Sequence, residues 1–195
     1  LSAQINPHFL YNTLDTIVWM SEFNDSKRVV ELTKSLAQYF RLALNQGHEQ
    51  IALKDEIDHV RQYLFIQKQR YGDKLRYEIE EDESLADYKL PKLILQPLVE
   101  NAIYHGIKEI DRPGIIRVTS TVEEGKLVLS IYDNGCGFDL QDSSEKTLLR
   151  LGGVGLKNVD QRLRLQFGEG YRMEIQSEQD IFTLIKIYLP LSNDK

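Results

Sequence analysis

The sequence predicts an α+β fold, a helical hairpin followed by an antiparallel-rich sheet with helices on one face. Three observations point there. Over the first 71 residues apolar side chains recur at three- and four-residue steps. After Gly72 the period drops to two in several short stretches. Most of those stretches pair around turn residues, with apolar helical segments between the pairs.

Residues 1–22 read as the first helix, with Ala3, Leu10, Leu14, Ile17 and Ser21 on one stripe. Gln4, His8, Asn12, Asp15 and Glu22 run down another side. The Asn24-Asp25-Ser26 cluster is a turn and a helix start. The second helix, 27–45, carries Val29, Leu32, Leu36, Phe40 and Ala43. After Gln46-Gly47 a third helix spans about 53–71, with Ile57, Val60, Leu64 and Tyr71 on one face and Gly72 as its stop. Leu75, Tyr77 and Ile79 alternate as a half-buried strand. A helix from Lys92 to Gly106 follows Pro91. Residues 115–122 and 126–132 form a hairpin at Glu124-Gly125, 139–151 is polar and irregular, and 155–167 is an amphipathic helix. A second strand pair, 171–177 with 181–189, closes the chain.

Two helices of this length cannot cover their own apolar stripe, so the hairpin is expected to pair with a second copy into a four-helix bundle. The third helix leads straight into the first strand and is grouped with it. The expected units are therefore 1–48 and 49–195.

Bulk properties set the class. The 195 residues are 42% hydrophobic and 28% charged, values of a globular protein. A net charge of −6 argues against a general nucleic-acid surface, which needs a clustered basic face. A single cysteine, Cys136, excludes an internal disulfide and suits a reducing compartment. No apolar run approaches the roughly 20 residues of a membrane span. The chain opens at Leu1, inside a helix and without Met, so it is expected to be a piece of a longer protein.

Four segments carry chemistry. In Gln4-Ile5-Asn6-Pro7-His8-Phe9-Leu10-Tyr11-Asn12, Pro7 starts or bends a helix and His8 follows on the polar side. An exposed neutral imidazole is a competent nucleophile, and Asn12 sits one turn on. Alone, the segment reads more readily as a helix-start proline before a solvated histidine. In Leu93-Ile94-Leu95-Gln96-Pro97-Leu98-Val99-Glu100-Asn101-Ala102-Ile103, polar Glu100 and Asn101 stand in a core helix, and an amide oxygen is a hard ligand that suits Mg²⁺. In Ile131-Tyr132-Asp133-Asn134-Gly135-Cys136-Gly137-Phe138, a strand delivers a carboxylate to a glycine loop that a flat ring can approach. The same residues also make an ordinary turn. In Gly152-Gly153-Val154-Gly155-Leu156-Lys157, glycines open a helix whose free N–H groups suit phosphate.

The four together, in this order, resemble the transmitter of sensor histidine kinases of the YesM and LytS type. Residues 4–14 resemble its H box, 93–103 its N box, and 133–137 and 153–159 its two glycine boxes. The resemblance implies a dimerisation and histidine-phosphotransfer hairpin followed by a Bergerat-type α/β sandwich that binds ATP. It makes His8 the phosphoacceptor and Asn101 the Mg²⁺ ligand. Asp133 would bind the adenine amino group, Gly135 and Gly137 would shape the adenine pocket, and Gly153, Gly155 and Leu156 belong to the phosphate side. Asn12 is given an orienting or phosphatase role. The implied partners are a second copy of the chain and a response regulator, which in the YesM type carries an AraC-like DNA-binding domain. The implied location is the cytoplasmic portion of a bacterial plasma-membrane sensor, anchored through upstream segments.

Three positions depart from the wider kinase pattern. Larger families place an acid directly after the phosphoacceptor, and here Phe9 stands there. Asp15 is about 10 Å further along the helix, so the base is elsewhere or the imidazole attacks unaided. Tyr104 occupies the place of a phosphate-contacting lysine, for which His105 is a poor substitute. The 139–151 lid lacks a phenylalanine motif, leaving Lys146 or Arg150 as candidates for the γ-phosphate. Two other classes stay open on the residues alone: an ATPase switch without a phosphohistidine, and a silent dimeric scaffold.

Overall fold

The computed structural model describes residues 7–44, 49–139 and 153–191. Ala3, Gln4, the Gln46-Gly47 turn, Lys146, Arg150 and Gly152 lie outside the described residues.

Helices α1 (Pro7–Glu22) and α2 (Ser26–Ala43) form the hairpin. Pro7 opens α1, where its missing N–H costs nothing. Asn24, at φ 57°, makes the turn, and the Asp25 side chain accepts from Arg28 N–H to cap α2. The buried face of α1 is not the expected one. Phe9, Thr13 and Met20 are buried, whereas Leu14 and Ser21 are exposed and Leu10 and Ile17 only partly covered. The helix is apolar on two sides, and its own chain takes the Phe9 side.

Helix α3 (Leu53–Tyr71) has the expected bounds and stops at Gly72, which takes φ 56°. Ile57, Val60 and Leu64 are buried as expected, but so are Glu56, His59, Tyr63 and Gln67. The helix is covered on several sides because it lies against α2 and α1 as well as against α4 and the sheet. Here α4 is Leu95–Asn101, extended by a π-helical turn over Ala102–Ile107.

The main sheet runs β2-β4-β5-β7-β6, from β2 (Leu75–Glu81), β4 (Gly114–Glu123), β5 (Lys126–Asp133), β6 (Arg172–Glu178) and β7 (Phe182–Pro190). Only β2–β4 is parallel, pairing Leu75 with Gly114, so the sheet is mixed. The β4–β5 turn uses Glu124 and Gly125, both at positive φ, the signature of a two-residue hairpin. A separate antiparallel pair, β1 (Gln50–Ala52) and β3 (Lys89–Pro91), brings Ile51 opposite Leu90. Helix α5 (Gly153–Phe167) contributes Leu156, Val159 and Leu163 to the core shared with α4 and the sheet.

Candidate functional site

Helix α4 begins without a cap of its own. Leu93 is held at φ 58°, uncommon for a branched residue, and Ile94 offers no capping side chain. The cap comes from α3 instead. Glu56 is fully buried and accepts from Leu93 N–H at 2.8 Å, Ile94 N–H at 2.6 Å and Leu95 N–H at 2.7 Å. A carboxylate at a helix N-terminus satisfies orphan donors and meets the positive end of the dipole. Burial pushes the Glu56 carboxyl above the ordinary range, opposed by those three donors and by Arg162. Glu56 is not among the residues that the motifs single out, although an acid in line with Leu53, Val60 and Tyr63 is a readable signal.

So anchored, α4 presents Leu98, Asn101, Ala102 and His105 to a cleft against β5 and β7. The cleft is narrow, a cavity of about 20 Å³, room for about one water. Asn101 is half-buried, and its side-chain nitrogen is buried with no partner among the described residues. In the π turn Lys108 N–H bonds Ile103 O, one residue further back than an α-helix allows.

Asp133 continues the core-facing row of β5 after Leu127, Leu129 and Ile131, which turns its carboxylate inward. It is 4% exposed, and one oxygen accepts Gly135 N–H at 2.9 Å. Burial pushes its pKa up to about 7, against the pull of that one bond. Gly106 and Gly135 close around it. A Cβ on Gly106 would stand 2.5 Å from Asp133 Oδ1, and one on Gly135 would run into the Gly106 backbone. Gly106 therefore belongs to the site, though the sequence marked it only as a helix end. Gly137, at φ 48°, lies against the Glu178 carbonyl. Cys136 donates its thiol to His105 O, and Asp180 N–H bonds Cys136 O at 2.6 Å, fixing the loop to the β6–β7 turn.

The second glycine segment opens α5, with Gly153 its first residue. Among the described residues a Cβ on Gly155 would meet only Pro97 of α4, at an ordinary 3.6 Å. Packing against those residues does not require glycine there. The Leu156 side chain is buried in the core.

His8 stands apart from these residues. It is exposed near the start of α1, and it does not line the cleft. The Asn12 amide nitrogen lies 3.0 Å from its Nδ1 and 3.2 Å from its Nε2. Phe9, noted in the sequence as a missing acid, is 2% exposed and packs on Tyr39 and Tyr63 at ring distances of 4.9 and 5.0 Å. It is an anchor between α1, α2 and α3. Asp15 is exposed on α1.

The site thus has two parts: a glycine-walled cleft with one buried carboxylate, and a presented histidine. Residues 1–75 match the family described as histidine kinase. Residues 86–193 match the family of histidine kinase-, DNA gyrase B- and HSP90-like ATPases. The chain is 36% identical over 197 residues to the sensor histidine kinase YesM of Bacillus subtilis, covering all of this chain and 33% of that protein. It is 36% identical over 190 residues to the sensor histidine kinase BtsS of Escherichia coli, covering 97% of this chain and 32% of that one. The sensor protein LytS of Oceanobacillus iheyensis is 33% identical over 208 residues, matching the whole chain and 34% of LytS. The chain thus spans about a third of the length of these relatives. Among solved structures, the histidine kinase domain of an Erythrobacter litoralis blue-light activated kinase superposes with a TM-score of 0.57 at 15% identity, over 95% of this chain and 96% of that one. The Acinetobacter baumannii histidine kinase AdeS gives 0.54 at 17% identity, over 90% and 85%. The chain belongs to the sensor histidine kinase family, and its C-terminal part is the domain that family shares with DNA gyrase B and HSP90.

Proposed function

We propose that the chain transfers the γ-phosphoryl of ATP to His8 and then to an aspartate of a response regulator. The observation that carries this is the buried Asp133 carboxylate, walled by Gly106 and Gly135 in a cleft that Asn101 also lines. A carboxylate there accepts a hydrogen bond from an exocyclic amine; the two glycines let the backbone close tightly around it, so the cleft would have to widen to admit an adenine ring. The Asn101 carbonyl oxygen is a donor that fits Mg²⁺. Among the described residues no cluster of three histidines, cysteines or acids could hold a metal alone, so phosphate oxygens and water would complete the shell. The metal would neutralise charge on the phosphates. Gly153 and Gly155 would bring the α5 N-terminus up to them.

At His8 the Nε2–P bond forms as the bond to the ADP oxygen breaks, and the imidazolium then releases its Nδ1 proton to solvent. That attack needs the tautomer with Nδ1 protonated and Nε2 free. The Asn12 amide nitrogen faces the ring in the structure; Asn12 would hold that tautomer only with its amide turned over, so that its oxygen accepts from Nδ1–H. The same amide would orient water against the regulator's aspartyl phosphate, and an Asn12→Ala chain that still dephosphorylates the regulator removes this second role. Because His8 does not line the cleft, transfer requires the unit 49–195 to move relative to the hairpin 1–48.

Tyr11, Leu14 and Val18 leave a second apolar stripe exposed on α1, beside Trp19 and Phe23. We assign it to a homodimeric four-helix bundle. Among the described residues no helix is long and apolar enough to cross a membrane. Placement at the cytoplasmic face of a membrane sensor rests on the relatives. The test of the cleft is an Mg²⁺–ATP titration. Asn101→Asp is expected to lose Mg²⁺-dependent binding, and unchanged affinity would remove the ligand assignment.

A further inference from the structure

The loop after β5 has little of its own to hold it, because Gly135 and Gly137 lack side chains. Its main chain is tied from outside. Asn134 meets Ile115 of β4 twice, donating its N–H to Ile115 O at 3.3 Å and accepting Ile115 N–H on Oδ1 at 2.6 Å. The next two carbonyls belong to a closed circuit of three bonds. Arg112, two residues before β4, donates from one guanidinium nitrogen to Gly135 O at 3.3 Å and to Asp180 O at 3.1 Å. Asp180 lies in the β6–β7 turn, and its N–H returns to Cys136 O at 2.6 Å. Among the described residues Arg112 pairs with no acid, and both of its bonds run to main-chain oxygens. The guanidinium therefore joins two loops through their backbone, a use for which its planar set of donors is suited.

Gly135 in turn orients Asp133. Its N–H occupies Asp133 Oδ1 at 2.9 Å, which leaves Oδ2 as the acceptor for an incoming amine. We propose that Arg112 sets the base selectivity of the cleft. It is a positioning residue: by holding Gly135 to the β6–β7 turn, it keeps one Asp133 oxygen bonded and the other aimed at an exocyclic amine. This rests on the adenine reading of Asp133 given above. Arg112, Gly135 and Asp180 all stand at strand ends of the main sheet, whereas the facing wall of the cleft is α4 with its π turn. Widening of the cleft between those walls leaves the circuit intact. It does draw Gly106 back from Gly135, which it now confines closely. The bonds to Arg112 and Asp133 are then what fix Gly135, so the guanidinium matters most when the nucleotide is bound.

The test titrates ATP and purine riboside triphosphate, which lacks only the exocyclic amine, onto the chain in the presence of Mg²⁺. Wild type is expected to prefer ATP by about tenfold or more, the equivalent of one hydrogen bond to a charged acceptor. In Arg112→Met, which keeps an apolar stem and removes the donors, the preference should fall to about threefold or less. Loss of a positive charge weakens both triphosphates alike, and the ratio of affinities cancels that effect. Arg112→Lys, whose ammonium can still donate to the two carbonyls, should recover part of the preference. A general loosening of the fold would weaken both nucleotides together. An equal loss for both, an undiminished preference in Arg112→Met, or no recovery with lysine overturns the proposal. A wild type that binds the two nucleotides equally instead removes the adenine role of Asp133, so the two failures are distinguishable.

Discussion

Removing the Glu56 carboxylate should unseat the helix that carries Asn101, and the size of the effect can be worked from the structure. In Glu56→Ala three N–H groups, of Leu93, Ile94 and Leu95, lose their acceptor at the buried start of α4. Each buried donor left unpaired costs about 1–3 kcal/mol. The sum is partly offset, because the variant no longer buries a carboxylate. The net loss should still be at least about 2 kcal/mol, a sizeable part of the roughly 5–15 kcal/mol that holds a domain together. Glu56→Gln should cost less, about 1–3 kcal/mol. Its remaining oxygen can take the place of Oε1, which serves both Ile94 and Leu95, and only the Leu93 N–H then faces an amine. Urea unfolding of wild type and both variants at pH 7, with slopes compared, measures this. An alanine variant less than about 1 kcal/mol below wild type, or a glutamine variant as damaged as alanine, would refute the capping argument.

Further expectations concern the cleft and the hairpin. The folded pKa of Asp133, about 7, lies above its ordinary value. The folded state thus holds the proton more tightly, and the associated stability, complete below about pH 4, is lost as pH rises through 7. Asp133→Asn keeps an oxygen for Gly135 N–H, so its melting temperature should exceed wild type clearly at pH 8 and less at pH 5. An equal difference at both pH values contradicts the burial argument. Gly106→Ala should lower both stability and ATP affinity, since its methyl meets Asp133. Gly155→Ala should melt no lower than wild type, helped by alanine's helix propensity, yet bind ATP more weakly; a parallel loss in both would mean that packing fixes Gly155. Trp19→Glu, on the exposed α1 stripe, should shift the chain from dimer to monomer in sedimentation; an unchanged dimer would place the interface elsewhere.

Much of this architecture was legible because local signals agreed. Gly72 and the spacing of Ile57, Val60 and Leu64 marked α3 to its ends, and Glu124-Gly125 marked the β4–β5 hairpin. The glycine loop after Asp133 and the presented His8 were readable because each needs particular residue types at short spacing. What escaped is long-range. The parallel pairing of β2 with β4, and the three-residue strands β1 and β3, depend on partners far away in the chain. In α1 two apolar stripes compete, and the period alone cannot say that Phe9 rather than Leu14 meets the chain's own core. Helix α4 was expected from Lys92, but the positive φ at Leu93 delays it to Leu95, and its cap sits nearly forty residues earlier in the chain. Phe9 was read for the acid it replaces, not for the rings it touches.

The most direct measurement is incubation of the 195-residue chain with γ-labelled ATP and Mg²⁺, alongside His8→Gln. Wild type should gain label that survives alkali and is lost in acid, as a phosphoramidate does, while His8→Gln binds ATP equally and gains none. Equal labelling of His8→Gln, or ATP bound by wild type with no label at all, would contradict the assignment of His8 as the acceptor.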